Sequence, residues 1–290
     1  ALTLRTVGGL SSEAIARLFL VPVATMQARI TRAKKALTAA KVPFETPPRE
    51  EWPQRLGGVL RVIYLIFTEG YAPTSGTAVV APDIAAEALR VGRILAALVP
   101  DEPEATALVA LMEFQASRFA ARVAPDGSAV LLEDQDRRRW DRSQITRGRD
   151  RLARADALAH DRGAYALQAA IAQEHALAAS VEQTDWSAIV GLYDSLLLLT
   201  GSPVVGLNRA VALAMTGDVD AALAAVDAIA HSAGSGASPL VPSVRGELLQ
   251  RVGRYDEARA ALEEAAAAMA NERQRAVLLA KAARIPWGHG

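Results

Sequence analysis

Cysteine is absent from the 290 residues, so thiolate nucleophiles, CxxC redox pairs, cysteine-ligated zinc and disulfide staples are excluded together. Aromatic residues are scarce at 5%, while Ala, Leu and Arg dominate with few β-branched runs. That bias favours helices that approach one another closely through small side chains. No apolar run reaches the ~18 residues a membrane-spanning helix needs. The strongest candidate, Val59 to Phe67, is interrupted by Arg61 and stopped by Glu69. The expectation is a cytoplasmic protein without a membrane segment. Net charge is missing too, at +0 overall, but it is unevenly spread. Residues 1–41 carry Arg5, Arg17, Arg29, Arg32, Lys34, Lys35 and Lys41 against Glu13 alone, a balance of +6 that the rest of the chain offsets with −6. A basic head precedes a mildly acidic body, and a polyanion is the simplest partner for the head. The 51% hydrophobic content is ample for a buried core and suggests two or more domains. The chain opens at Ala1 directly in a helical pattern, which reads as the C-terminal part of a longer protein.

The head contains three short helical patterns, Leu2 to Val7, Ser11 to Phe19 and Val23 to Ala39, separated by Gly8-Gly9 and by Leu20-Val21-Pro22. That spacing describes a helix-turn-helix. Ser11 suits the cap of the middle helix, and Pro22 the first turn of the third, where its missing N–H is no loss. On the third helix Met26, Ile30, Ala33 and Leu37 recur at core spacing and are expected to be buried. The opposite face holds Ala24, Thr25, Ala28, Thr31, Arg32 and Lys35, flanked by Gln27 and Lys34 on one side and Arg29 on the other. Small residues would let such a helix sink into a major groove, where Thr25, Gln27 and Thr31 meet base edges and Arg32 and Lys35 meet phosphates. The plainer account of the same face is a solvated cationic surface on an ordinary helix.

The run Glu13-Ala14-Ile15-Ala16, the turn at Pro22 and the stretch Thr25-Met26-Gln27-Ala28-Arg29-Ile30-Thr31-Arg32-Ala33 resemble region 4 of extracytoplasmic-function sigma factors. The resemblance implies that Gln27, Ala28, Thr31 and Arg32 face the upstream (−35) promoter element, with promoter DNA and core RNA polymerase as partners. Ala28 and Thr31 are small for that family, which leaves their base preference open. No counterpart of region 2, which binds the polymerase clamp and melts the promoter, is present in these residues, so the chain as it stands could bind a promoter but not initiate.

Beyond the head, Pro43, Pro47, Pro48 and Pro53 mark a linker. Glu51 to Glu69 reads as a nearly all-round apolar helix, followed by a loop from Gly70 to Pro82. Asp83 is the expected cap of a helix ending at Leu98, and Asp101, Glu102 and Glu104 place acids at the next N-terminus, where they complement the helix dipole. Ala124 to Leu132, with Pro-Asp-Gly inside it, is a turn or a small hairpin and the one plausible β segment. Helices resume near Trp140, at Tyr165 to Ala178 and from Asp185 onward. Gly217-Asp218-Val219-Asp220-Ala221-Ala222 and Gly253-Arg254-Tyr255-Asp256-Glu257-Ala258 align at a fixed separation, with Val226 and Leu262 at matching places beyond them. That register suits tetratricopeptide-like helical hairpins, with Trp186, Ile189 and Tyr193 in an earlier copy.

The strings Val62 to Tyr71, Leu131 to Arg142 and Leu207 to Ala212 extend the resemblance over the whole chain, to sigma factors of that group with a long C-terminal extension related to tetratricopeptide repeats. Thr68 departs from it, standing where the family tends to have Asn. In that family the extension takes part in regulating the sigma factor.

Chemistry is otherwise sparse. Glu133, Asp134 and Asp136 beside Arg137, Arg138, Arg139, Trp140, Asp141 and Arg142 form either a carboxylate cluster for a metal or, more simply, an ion-pair network at a loop-to-helix junction. Glu69-Gly70-Tyr71 either lines a pocket or is the polar end of a buried helix. His160, His175, His231 and His289 show no ligand spacing, and there is no GxSxG elbow, P-loop or GxGxxG after a strand. No catalytic residue, cofactor or metal is expected, and the protein is not expected to be an enzyme. The expected organisation is all-α: a helix-turn-helix at 1–41, a family-specific helical extension at 42–181 and tetratricopeptide-like repeats at 182–290. An intramolecular contact is expected between the basic head and an acidic surface of the body. Two functional classes stay open, a promoter-binding head regulated by its body and a helical protein-interaction scaffold that does not bind DNA.

Overall fold

A computed structural model describes residues 1–6, 9, 11–19, 21–40, 47–71, 81–125, 130–233, 240–269 and 272–286. Among them the chain is helical throughout and forms no strand, so the all-α expectation holds. It divides into two compact units, Ala1–Glu182 and Gln183–Gly290.

The first unit opens with α1 (Leu2–Thr6), α2 (Ser12–Leu18) and α3 (Val23–Ala40). Ser11 stands at the cap position of α2, its carbonyl accepting the N–H of Ile15 at 3.0 Å, and the carbonyl of Pro22 likewise accepts the N–H of Met26 at the start of α3. Leu4, Ile15, Ala16, Met26 and Ile30 form the small core of this head. The expected burial of the third helix is correct for Met26 and Ile30 but not for Leu37, which is 51% exposed. The core ends after Ile30 because α1 and α2 are only 5 and 7 residues long, leaving the last turns of α3 without a partner to pack on.

The body of this unit consists of α4 (Trp52–Tyr71), α5 (Pro82–Leu98), α6 (Pro103–Ala116), α7 (Arg142–Leu158) and α8 (Ala164–Leu177). Helix α4 starts and ends later than expected. Glu51 closes a short 3₁₀ turn, Pro53 lies in the first helical turn rather than in the linker, and Gly70 and Tyr71 are helical rather than looped. Asp83 is not the cap of α5: Ala81 holds that place and Pro82 follows at the first helical position, where φ is preset and no N–H is lost. Helix α6 is the axis, buried at every position from Ala105 to Phe114, and it packs against α4, α5, α7 and α8. A helix apolar on all sides has to be enclosed. Its one fully buried acid, Glu113, accepts hydrogen bonds from Arg93 of α5 at 2.6 and 3.0 Å and from Arg147 of α7 at 3.3 Å, which ties three helices together. Between α6 and α7 the chain makes 3₁₀ turns at Phe119–Ala121, Leu132–Asp134 and Arg137–Arg139. The expected turn near Pro125 is visible at its stem, where Val130 N–H donates to Arg122 O at 2.9 Å, while residues 126–129 lie outside the described part.

The second unit comprises α9 (Trp186–Thr200), α10 (Pro203–Met215), α11 (Val219–Ala233), α12 (Leu240–Arg251), α13 (Tyr255–Ala268) and α14 (Glu272–Arg284). Gly217 and Gly253 occupy equivalent turns, after α10 and α12, with φ of 102° and 74°. These left-handed conformations favour glycine and reverse the chain into α11 and α13. Val226 and Leu262 are both fully buried, as their matching register requires. Asp194–Arg209 at 2.5 Å, Asp227–Arg245 at 2.9 Å and Glu247–Lys281 at 2.5 Å join α9 to α10, α11 to α12 and α12 to α14.

Candidate nucleic-acid interface and a buried arginine cluster

The proposed reading face is presented as its sequence requires. Gln27, Ala28, Thr31, Arg32 and Lys35 are exposed along α3, and Thr25 is half-buried near its start. At the helical rise they span about 15 Å of one helix. Arg29, Arg32, Lys34 and Lys35 take part in no ion pair among the described residues. The head is held from behind: Val62, Leu65 and Ile66 of α4 pack against its core. That surface of α4 is apolar, which differs from the acidic one expected. Area removed from water gains more for a small core than exposed ion pairs do.

The run from Glu133 to Arg142 is neither a metal site nor a plain surface ion-pair network. No group of His, Asp and Glu suited to a metal occurs among the described residues. Asp136 accepts the backbone N–H of Arg138 at 3.0 Å and also pairs with its guanidinium, and Asp141 accepts the N–H of Gln144 at 3.0 Å to cap α7. Arg137 points inward and donates to the carbonyls of His175 and Ala178 at 2.8 and 2.9 Å, closing the end of α8. The charges thus terminate helices, because buried backbone groups must find partners.

Arg137 also brings its positive charge beside two others that the sequence did not single out, Arg118 and Arg122, placed one helical turn apart after α6. The Arg118 guanidinium lies between Tyr71 and Trp140, 5.6 and 5.8 Å from the ring centres, and it donates to the Tyr71 hydroxyl. Arg122 covers the Tyr71 ring at 3.8 Å and Arg137 the Trp140 ring at 5.2 Å. Tyr71 in turn stacks on Phe67 and tilts against Phe119. Burial, reinforced by Arg122 and Arg137, brings the Arg118 guanidinium down to about 10. Burial and the charges of Arg118 and Arg137 push His175 down to about 4, so its imidazole is neutral at pH 7. The only clue in the sequence was the i, i+4 spacing of Arg118 and Arg122 on an apolar background.

Gly70 explains why Tyr71 can stand there. A Cβ on Gly70 would lie 2.9 Å from the carbonyl oxygen of Ala81, and that same stretch of α5 donates Ala81 N–H to Gly70 O at 2.7 Å. Only a residue without a side chain lets α4 and the start of α5 approach so closely.

Residues 1–37 match sigma-70 region 4, and residues 55–156 match a family of unknown function, DUF6596. An uncharacterized protein of Rhizobium meliloti is 47% identical over 280 residues, which is 96% of this chain and 65% of the relative. The chain thus spans just under two thirds of that relative's length. The head is sigma-factor-like, with a role in promoter recognition suggested by region 4. No described helix is long and apolar enough to cross a membrane.

Proposed function

We propose that this chain is the promoter-reading and regulatory part of an extracytoplasmic-function sigma factor, acting in the cytoplasm and without catalysis of its own. In this reading Gln27, Ala28, Thr31 and Arg32 meet the −35 element, Thr25 and Lys35 flank them, and core RNA polymerase is the partner to which the head delivers the promoter. The body, with tetratricopeptide-like hairpins in its second unit, regulates the head. The observation that carries the reading is the face of α3, which is exposed, small in side chain and cationic without ion-pair partners among the described residues, within a segment that matches region 4. The seating of Leu4 and Met26 near Val62 and Ile66 supports regulation through contact.

The test is binding of the full chain and of Arg32→Ala to duplex DNA carrying a selected −35 sequence, across a salt series. If Arg32 neutralises a phosphate, the variant should weaken on all sequences alike and its salt slope should fall by about one. If it reads a guanine, discrimination should fall by ~1–3 kcal/mol. Binding unchanged by both measures rejects this placement of α3, and the absence of any salt-dependent binding by the wild type favours the scaffold reading instead.

A further inference from the structure

The cluster around Tyr71 has more cationic donors than the described residues offer acceptors for them. Arg118 Nε, Arg122 Nε and Trp140 Nε1 are buried with no hydrogen-bond partner. Neither Arg118 nor Arg122 pairs with a carboxylate among the described residues. The segment between Tyr71 and Ala81 contains no Asp or Glu. Arg118 and Arg122 instead lie over the Tyr71 ring, which favours their faces but leaves the in-plane Nε–H of each unmet. The like charges of Arg118 and Arg122, one turn apart in a partly desolvated place with Arg137 beside them, repel one another and lose hydration. Elsewhere this protein neutralises such groups, as Arg93 and Arg147 do on Glu113. Among the described residues Arg118 and Arg122 have no such partner, which points to a bound anion.

We infer that Arg118 and Arg122, with Trp140 and the charge of Arg137 beside them, form a binding site for a phosphate-class oxyanion, free or as the terminal group of a phosphomonoester. A tetrahedral dianion offers several acceptor oxygens at once, and the planar guanidinium fork matches it in a way an ammonium does not. Chloride satisfies the charge but not the directed N–H groups, and a monocarboxylate brings half the charge. The flanking rings of Tyr71 and Trp140 offer apolar surface to the organic body of an esterified ligand. The site lies away from α3, and the inference stands whether or not the head binds a promoter.

The experiment is calorimetric titration of the full chain with inorganic phosphate at constant ionic strength, with thermal melting as a second readout. Saturable binding with a rise in Tm of several degrees is expected. Arg122→Gln should weaken binding by at least about tenfold. Arg122→Lys, which keeps the charge and loses the fork, should weaken it nearly as much. Circular dichroism establishes that each variant is folded, and Arg122→Lys serves if Arg122→Gln is not. Phenyl phosphate in place of inorganic phosphate separates the sources: tighter binding identifies an esterified ligand, and equal binding the free ion. No saturable binding by the wild type overturns the inference, as does wild-type affinity retained in both folded variants, or an equal effect of acetate at the same ionic strength.

Discussion

The Oε1 of Glu104 lies 2.7 Å from the position a Cβ of Gly163 would take, and the carboxylate uses that space to cap a helix on which it does not reside. Its two oxygens accept the backbone N–H groups of Tyr165 and Ala166 at 2.8 and 3.0 Å, so an acid near the start of α6 closes the start of α8. The sequence placed this acid correctly in the first turn of α6, and its capping of α8 comes in addition. Glu104→Ala should therefore cost about 1–2 kcal/mol of stability, in the range of a lost cap. Gly163→Ala should reproduce most of that loss by displacing the carboxylate. Urea denaturation of both single variants and the double variant checks this. The double should be less destabilised than the sum, since both act on one contact.

Two glycines of α4 should respond oppositely to alanine. At Gly70 the added methyl meets the backbone of α5, and a backbone clash in a packed place costs about 1–3 kcal/mol. At Gly57 a Cβ would meet nothing within 4 Å, so the better helix former should leave stability unchanged or raise it by up to about 1 kcal/mol. Thermal melting of Gly70→Ala and Gly57→Ala decides. Equal effects would mean that α4 and α5 are not in the close contact described.

Acid should act early on this fold through His175. Its folded value near 4 lies below the ordinary 6.5, so between those values the unfolded chain binds a proton that the folded chain refuses. Stability is then complete above pH 6.5 and falls as pH drops toward 4, by on the order of 2 kcal/mol after allowance for partial solvent access. Denaturation curves from pH 7 to 5 should show that slope, before most carboxylates titrate. His175→Gln should flatten it.

The seat of the head on α4 is open to test in the full chain. Val62→Asp places a charge against Leu4, Ile15 and Met26 but faces away from the centre of the body. Amides of α1 to α3 should exchange faster in the variant, while those of α6 keep their protection. Unchanged exchange in the head would show that it does not rest on this face.

What was legible beforehand was local. Met26 and Ile30 on α3, and Gly217 and Gly253 with Val226 and Leu262, are set by periodicity and turn chemistry within a few residues, and they stand where that chemistry puts them. Leu37 did not, because its exposure depends on where a neighbouring core ends. Asp83 lost the cap to Ala81 because Pro82 claims the first helical position. Arg137 looked like a surface charge beside Asp136 and became a helix terminator, a role defined by the carbonyls of residues 38 and 41 positions away. The arginine cluster draws on Tyr71, Arg118, Arg122, Arg137 and Trp140, and no window of sequence contains them together.

Ile66 packs against both the core of the head and the core of the body, five residues before the tyrosine under Arg122. One helix thus carries both the support of the head and a wall of the arginine cluster. Thermodynamics then imposes a reciprocity. If an anion at the cluster alters the affinity of the head for DNA by some factor, DNA must alter the affinity for the anion by the same factor. Measuring one dissociation constant in the presence and absence of the other ligand would give the full coupling, and a factor of one would mean that α4 transmits nothing.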